Sequence, residues 1–313
     1  MQEKIATREA YGKALMKLGE ERPEVVVLDA DLAKSTKTIE FKKRFPDRFF
    51  DFGVAEANMV GTAAGLAASG KVPFCSTFAV FATGRAFDQI RQSVANTKLG
   101  VKIAASHAGL TVGEDGSSHQ SVADIALMRA LPNFTVFVPA DAAEVEGAVW
   151  AAAEINGPVY IRLGRSPVPA LHGEDFKFVP GRAVWLRRGR DATVVACGIM
   201  VEPALRVAEA LAGDGLEVGV LDMHTIKPLD AEALAEAAAA GGAIVTAEEH
   251  SVIGGLGGAV CEALAELHPV PVKRIGIRDT FGESGKPGEL LMKYGLTADG
   301  IADAVREVVR RKG

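Results

Sequence analysis

The alternation of apolar and polar positions predicts short buried strands separated by longer helices along most of the chain. Apolar runs of about six residues, such as Val25–Ala30 and Val101–Ser106, are typical of buried strands. Strands that alternate with helices predict a parallel sheet covered by helices on both faces. In the first half of the chain the predicted strands are 25–30, 48–53, 72–77, 101–106, 135–138 and 158–163, and the predicted helices are 5–20, 54–68, 80–96, 121–131 and 141–154.

A change of composition after the last of these strands indicates a connection between two units. Gly164–Gly181 carries three proline-containing steps and little periodicity. Beyond it, strands are predicted at 193–197, 217–222, 243–248 and 272–278, interleaved with alanine-rich helices. We therefore expect an α/β protein with two domains, each based on a parallel sheet, of which the second is the smaller.

Composition and charge narrow the functional classes. The 313 residues are 48% hydrophobic and 24% charged, with a formal net charge of −5. No basic run suggests binding to nucleic acid. The charged amino terminus is unlike a signal peptide, and no apolar stretch reaches the roughly 18 residues that span a bilayer. Cys75, Cys197 and Cys261 are odd in number and far apart, unlike a disulfide framework or a zinc site. These features predict a cytoplasmic globular protein that binds neither nucleic acid nor membrane.

Three glycine motifs resemble phosphate-binding sequences without completing them. Gly65–Val72 lacks the metal-binding hydroxyl of a P-loop and follows a predicted helix instead of a strand. Gly255 and Gly257 begin a dinucleotide-binding pattern that lacks its last glycine, so helix packing explains them better. Gly213–Gly215 spells GDG, but no asparagine follows it, and a helix C-cap accounts for the glycine. We therefore predict no diphosphate–metal site in this chain.

The loop His107–Gln120, which reads HAGLTVGEDGSSHQ, concentrates polar groups at the carboxyl end of a predicted strand. Ligands of open α/β sheets bind at such strand ends. His107, Asp115 and His119 allow three interpretations. They could bind a metal, although zinc spacing is absent; they could be turn and capping residues; or they could bind the hydroxyl or phosphate groups of a substrate by hydrogen bonds.

Glu56 and two phenylalanines are further candidates. Glu56 lies among small and apolar residues at the start of a predicted helix, where loss of water would favour its protonated form. A plain interaction with the helix dipole explains it equally well. Phe78 and Phe81 lie where a strand passes into a helix, and such a pair is more often part of a core than a platform for a cofactor.

Taken in order, the segments GVAEANM, STFAVFATGRAFDQIR, SHAGLTVGEDGSSHQ, FVPADAAEVEGAV, LDMHTIKPLD and SGKPGELLMKYGL resemble the carboxyl-terminal half of transketolase. The resemblance covers essentially the whole chain. It implies a pyrimidine-binding domain over residues 1–180 and a transketolase C-terminal domain over residues 181–313.

The resemblance implies that this chain contributes to binding of thiamine diphosphate. Glu56 matches the glutamate that protonates the aminopyrimidine ring, a catalytic task suited to a carboxyl group that holds a proton at neutral pH. Phe81 matches the aromatic residue that stacks on the pyrimidine, with Phe78 beside it. Asp31 matches an acid near the cofactor at the subunit interface. The family often has another aromatic residue where this chain reads Ala82–Gly84, so its platform is expected to be smaller.

The resemblance also implies contacts to a sugar-phosphate substrate. Asp115 and His119 match groups that bind the hydroxyls of the donor ketose, and His119 also steers proton transfer. The phosphate is expected to contact Arg8, Ser35, His107 and Arg165. Arginine suits phosphate because it donates two parallel hydrogen bonds, although a lone arginine is by default a surface charge.

Transketolases place a diphosphate-binding domain before this region, and the sequence, which begins with its own Met, does not show one. The chain is therefore expected to be either a fragment or one subunit of a transketolase encoded as two chains, and the start at Met favours the second. We expect a two-chain transketolase in which a separate N-terminal subunit supplies the diphosphate site and the ligands for Mg²⁺ or Ca²⁺. Two copies of each chain would form an α2β2 assembly around a homodimer of this one. The implied reaction transfers a two-carbon ketol unit from a ketose phosphate to an aldose phosphate, as in the pentose phosphate pathway.

Three alternatives stay open at this point. The beta subunit of a 2-oxo acid dehydrogenase has the same two domains, but its substrate would leave Arg8, Ser35 and Arg165 without a shared task. Half of a deoxyxylulose phosphate synthase is disfavoured by the GEDGSSHQ segment. A regulatory or scaffolding subunit without catalysis would not need Glu56.

Overall fold

The computed structural model describes residues 4–173 and 175–312. The strands are β1 (Lys4–Ala6), β2 (Val25–Asp29), β3 (Phe49–Asp51), β4 (Val72–Phe78), β5 (Lys102–Ser106), β6 (Thr135–Phe137), β7 (Val159–Arg162), β8 (Pro167–Pro169), β9 (Val184–Arg187), β10 (Ala192–Ala196), β11 (Val218–Asp222), β12 (Thr225–Lys227), β13 (Ile244–Ser251) and β14 (Val272–Ile277). The α-helices are α1 (Thr7–Glu21), α2 (Ala33–Thr36), α3 (Ile39–Arg44), α4 (Glu56–Ala68), α5 (Ala79–Arg85), α6 (Phe87–Gln89), α7 (Asp124–Ala130), α8 (Ala142–Glu154), α9 (Val201–Gly213), α10 (Ala231–Gly241), α11 (Leu256–Leu267), α12 (Pro287–Lys293) and α13 (Ala298–Arg310).

Two main sheets confirm the predicted α/β class. The larger has the strand order β12-β6-β7-β5-β4-β2-β3, and its neighbours from β6 to β3 run parallel. The smaller has the order β14-β13-β10-β11-β9, with β10, β11, β13 and β14 parallel. Because parallel strands end at the same edge, the loops after β2, β4, β5 and β7 meet at one side of the larger sheet.

Neither sheet is purely parallel, which differs from the prediction. β9 pairs antiparallel with β11, and β12 pairs antiparallel with β6. The strand β12 comes from the second half of the chain, yet it extends the sheet of the first half. Strands of three or four residues carry too little alternation to be recognised from their own sequence. The division at residue 180 therefore stays a prediction.

Two predicted helices are shorter or less regular than expected. The segment predicted as one helix over 80–96 is interrupted at Ala86 and ends in a π-helical stretch, Ile90–Ala95. The helix predicted from Ser121 begins only at Asp124. Ser121 instead forms an isolated bridge with Ala108, and its carbonyl accepts from the Gly109 amide at 2.8 Å. These backbone groups close the polar loop and so are not available to a helix.

The predicted connection between the domains is partly ordered by pairing with the amino terminus. Within it, β8 forms a two-stranded antiparallel sheet with β1. The largest apolar cluster also crosses the connection, since it contains Ile103 and Val138 together with Leu221 and Leu234. The two halves therefore share a core. In the described part of the chain, no helix has the length and apolar character needed to cross a membrane.

Candidate active site

The predicted site lies at the carboxyl edge of the larger sheet. Phe78 is the last residue of β4, and His107 directly follows β5. The backbone of His107 has a positive φ of 56°, which is uncommon for a residue with a side chain. This turn directs the chain away from the sheet and into the polar loop. Such strained positions cluster at functional sites.

Aromatic and imidazole rings form a continuous group at this edge. Phe78 and Phe81 are stacked with ring centroids 5.7 Å apart. The His107 ring also stacks on Phe78, with ring centroids 3.8 Å apart. The His119 ring meets Phe81 edge to face at 5.3 Å. Two phenylalanines from the end of β4 and two histidines from the following loop are thus brought together.

His107 is a neutral imidazole whose tautomer follows from its partners. Arg8 has only donors, so its guanidinium donates to Nε2 of His107 at 3.2 Å. The other ring nitrogen, Nδ1, therefore carries the proton and lies 2.9 Å from the Ser106 hydroxyl. Burial, followed by the charges of Arg8 and Arg165, lowers the pKa of His107 to about 3. Arg8 also donates to the Ser35 carbonyl at 3.1 Å, so three predicted phosphate-binding residues are joined through one guanidinium.

Glu56 is the first residue of α4 and is only 3% exposed. Its carboxylate accepts a hydrogen bond from Arg85 at 2.8 Å. The Arg85 guanidinium also lies over the Phe81 ring, 4.1 Å from the ring centroid. This arginine was not predicted, because its partner is 29 residues away in sequence. Its positive charge lies beside the buried carboxylate, a partner that the sequence did not indicate.

Asp115 and Arg165 form an ion pair at the outer side of the loop. Arg165 donates to Asp115 at 3.1 Å and to the Val112 carbonyl at 2.6 Å. Both side chains are more than two-fifths exposed, so the pair is open to solvent. His119 is partly exposed, with its Nδ1 3.0 Å from the Ser118 hydroxyl. A ligand at this edge can therefore reach all three side chains.

Residues of the second domain form hydrogen bonds with the polar loop, and the sequence analysis did not predict these contacts. Glu249, on β13, accepts from the Thr111 amide at 2.6 Å. Gln120 donates to the Glu283 carbonyl at 2.9 Å, and Ser284 donates to the Glu114 carbonyl at 2.8 Å. These partners lie more than 130 residues from the loop, so no local pattern could reveal them.

Asp31 stands apart from the other candidates. It is exposed, has a φ of 62°, and its amide donates to Asp51 at 3.1 Å. Among the described residues, Asp31 makes no hydrogen bond or ion pair with another candidate. Its neighbour Asp29 is buried and accepts from the hydroxyls of Thr36 and Thr38 at 2.7 and 2.9 Å. Burial raises the pKa of Asp29 to about 6.

The glycine-rich turn before α11 is already occupied by a carboxylate. Glu248 accepts from the Leu256 and Gly257 amides, both at 2.7 Å. A side chain at Gly255 would collide with Glu248, so the glycine allows this close approach. The amide groups at the start of α11 are thus already hydrogen-bonded by a side chain of the protein. This agrees with the interpretation that Gly255 and Gly257 serve helix packing and do not bind a dinucleotide.

Comparisons with known proteins agree with this geometry. The transketolase pyrimidine-binding domain family matches residues 3–170, and the transketolase C-terminal domain family matches residues 181–301. A putative transketolase C-terminal section of Methanocaldococcus jannaschii is 47% identical over 309 residues, covering 97% of this chain and 96% of the relative. A 6-deoxy-6-sulfo-D-fructose transketolase subunit of Clostridium sp. is 46% identical over 305 residues, covering 97% and 95%.

Among solved structures, a split-gene transketolase described as an inactive β4 tetramer superposes with a TM-score of 0.93 at 58% identity. The superposition covers 99% of this chain and 100% of that one. The chain therefore belongs to the transketolase family and comprises its pyrimidine-binding and C-terminal domains.

Proposed function

We propose that this chain is the C-terminal subunit of a two-chain transketolase, with its domain boundary near residue 180. An N-terminal subunit would supply the diphosphate site, and two copies of each chain would form the active α2β2 enzyme. The observation that carries the proposal is the joining of aromatic, carboxylate and arginine candidates at one sheet edge. The similarity to a chain from a split-gene transketolase along its full length supports the division of the enzyme into two chains.

The residues at the sheet edge suit the pyrimidine of thiamine diphosphate. Phe78 and Phe81 present stacked rings, and Phe81 is partly exposed. Glu56 lies close by, linked to Phe81 through Arg85, and can exchange a proton with a ring nitrogen. The cofactor supplies the electron sink that stabilises the two-carbon unit during transfer. Mg²⁺ or Ca²⁺ would be bound by the partner subunit together with the diphosphate.

The arginines suit the anionic end of the substrate. Arg8 donates to Nε2 of His107 at 3.2 Å, and Arg165 donates to Asp115 on the loop that begins at His107, at 3.1 Å. His107 is neutral and keeps an Nδ1 proton, so it adds a donor without adding charge. His119 and Asp115 are accessible from solvent and can bind the hydroxyls of a ketose. We propose a ketose phosphate such as xylulose 5-phosphate as donor and an aldose phosphate as acceptor.

A sulfonated ketose is a second candidate substrate. The Clostridium relative is named for 6-deoxy-6-sulfo-D-fructose. A sulfonate and a phosphate are both tetrahedral anions, so the same guanidinium groups could bind either.

The decisive experiment measures ketol transfer to ribose 5-phosphate by the complex purified from its native source. Xylulose 5-phosphate and 6-deoxy-6-sulfofructose would be compared as donors, with thiamine diphosphate and Mg²⁺ present. We expect activity with the phosphorylated donor in the complex and none in the chain alone. Activity only with the sulfonated donor would reassign the substrate. Turnover of pyruvate alone would favour a 2-oxo acid dehydrogenase, and no turnover of any donor would favour a scaffold.

A further inference from the structure

A buried cluster of two carboxylates and one imidazole lies where the two halves of the chain meet. Glu144 belongs to the first turn of α8, His172 to the connection, and Asp222 to the end of β11. Glu144 and Asp222 are fully buried, and the His172 side chain is 5% exposed. None of the three belongs to the predicted thiamine site.

The three side chains converge on one point. One ligand atom from each lies within 4.8 Å of the other two. Nε2 of His172 is 3.7 Å from Oε1 of Glu144 and 4.0 Å from Oδ2 of Asp222. Oε1 of Glu144, Nε2 of His172 and both oxygens of Asp222 have no hydrogen-bond partner among the described residues. Buried polar atoms without a partner are rare and costly, so four in one place require an explanation.

Neighbouring contacts orient the free atoms toward the same point. The other oxygen of Glu144 accepts from the Ala140 amide at 2.7 Å, which leaves Oε1 facing the cluster. Nδ1 of His172 is 3.2 Å from Oδ2 of Asp141, which also accepts from the Leu171 and His172 amides. A carboxylate bound to the far nitrogen of a histidine is the usual support of a metal-ligating imidazole.

From this geometry we propose that Glu144, His172 and Asp222 bind a divalent transition-metal cation, with Zn²⁺ as the best match. An ion equidistant from three atoms at these separations would lie about 2.5 Å or less from each, so shifts of a few tenths of an ångström would reach zinc–ligand distances. Two carboxylates compensate the charge of the cation. Imidazole favours Zn²⁺ over Mg²⁺, which prefers oxygen ligands and retains its water.

The position of the site indicates a structural role. Its ligands come from the first domain, the connection and the second domain, so one ion would cross-link three segments. Because an unfolded chain cannot present these ligands together, binding of the ion would stabilise the folded state.

The test uses the full-length chain, stripped with EDTA and titrated with Zn²⁺ in the presence of excess Mg²⁺. Calorimetry is expected to give one Zn²⁺ per chain, and Tm is expected to rise by several degrees. Asp222→Asn and His172→Gln should each weaken Zn²⁺ binding at least 100-fold and abolish the rise in Tm. The matched control is His268→Gln, which removes an exposed histidine and should leave both responses unchanged.

Two results would overturn the proposal. One is a wild-type chain that binds no Zn²⁺ at micromolar concentration while remaining folded. The other is an undiminished response in Asp222→Asn, which would assign the ion to other residues. Since Asn has nearly the size and shape of Asp, this variant is expected to fold. Neither readout depends on transketolase activity, so failure here would leave the proposed function standing.

Discussion

At the scale of single residues, the site depends on how charge is compensated under burial. Glu56 loses contact with water but gains Arg85, whereas His107 loses water and faces two arginines. Burial and the two arginine charges favour a neutral imidazole at His107.

Replacement of Glu56 by Gln tests its catalytic role. The amide has the same shape but cannot donate or hold a proton as the acid does, so kcat of the assembled enzyme is expected to fall about 100-fold or more. Steady-state kinetics with xylulose 5-phosphate measure the change. Glu209→Gln, at an exposed position on α9, is the control and should keep full activity. Unchanged kcat in the Glu56 variant would favour the scaffold alternative.

Replacement of Arg8 by Ala tests the predicted phosphate contact. Loss of a charge-assisted hydrogen bond costs about 1.5–3 kcal/mol, which corresponds to a rise in KM of roughly 10- to 150-fold. The rise is expected for a phosphorylated ketose and not for the same ketose without its phosphate. Arg190→Ala removes an exposed arginine and serves as the control. Equal effects on both donors would show that Arg8 acts on His107 or the fold instead.

At the scale of elements, the loop after β5 is held from two directions. Arg162 on β7 donates to Asp124 on α7 at 2.7 Å and to the Glu249 carbonyl on β13 at 2.9 Å. Glu249 in turn accepts from the loop itself. The loop, α7 and β13 therefore form one connected unit, and the second domain contributes directly to the shape of the site.

The Arg162–Asp124 ion pair is expected to contribute strongly to the stability of the folded chain. Asp124 is fully buried and Arg162 is 7% exposed, so Asp124→Asn leaves a buried positive charge with weaker compensation. We expect the free energy of unfolding to fall by about 3–5 kcal/mol. The exposed pair Asp88–Arg91 provides the control, since Asp88→Asn should change stability by less than about 1 kcal/mol. Denaturant unfolding of the two variants side by side measures the difference.

Gly109 is expected to tolerate no side chain. Its φ is +81°, and a Cβ there would collide with the carboxyl group of Glu249. Gly53 also has a positive φ, of +64°, but a Cβ there would meet no atom within 4 Å. Gly53→Ala should therefore cost about 1–2 kcal/mol for backbone strain alone, and Gly109→Ala clearly more. Similar losses of unfolding free energy in both would contradict a close contact between the loop and β13.

At the scale of the whole molecule, packing of the second domain on the loop buries acids that titrate near neutral pH. Burial raises the pKa of Glu249 from 4.5 to about 7, against the opposing charge of Arg162. The folded state therefore retains a proton that the unfolded state has lost between these values. Stability is expected to decrease as pH rises from about 4.5 to 7, since the folded state binds more protons there.

Glu249→Gln should make this pH dependence shallower. Gln can still accept from the Thr111 amide but cannot ionise, so it removes the cost of charging a buried acid. The shift in the pKa of Glu249 corresponds to a change of about 3 kcal/mol at most in the free energy of unfolding between low and high pH. Thermal or urea unfolding across pH 4.5–8 measures the slope, with Glu209→Gln as the exposed control. An identical slope in wild type and Glu249→Gln would assign the dependence to other groups, such as Asp29.

Much of the architecture was predictable because local patterns of apolar and polar residues indicate most strands and helices. All strands of five or more residues fall within predicted ones or overlap them closely, as β4 and β5 illustrate. The short strands β9 and β12 were missed, because their existence depends on a neighbouring strand that offers unpaired backbone groups. Most of the candidate site residues came together, whereas Asp31, which also follows a strand end, makes no hydrogen bond or ion pair with another candidate among the described residues.

The sequence by itself determined the alternation of strands and helices, the family, and the edge of the sheet at which chemistry is concentrated. These follow from residue type and spacing, which act over a few turns of chain. Only the tertiary structure decided that Arg85 pairs with Glu56 and that Glu249 accepts a hydrogen bond from the loop after β5. It also decided that Glu144 lies beside His172 and Asp222. Such partners are chosen when distant segments pack, because the electrostatic cost of burying one charged group depends on which other groups share its surroundings.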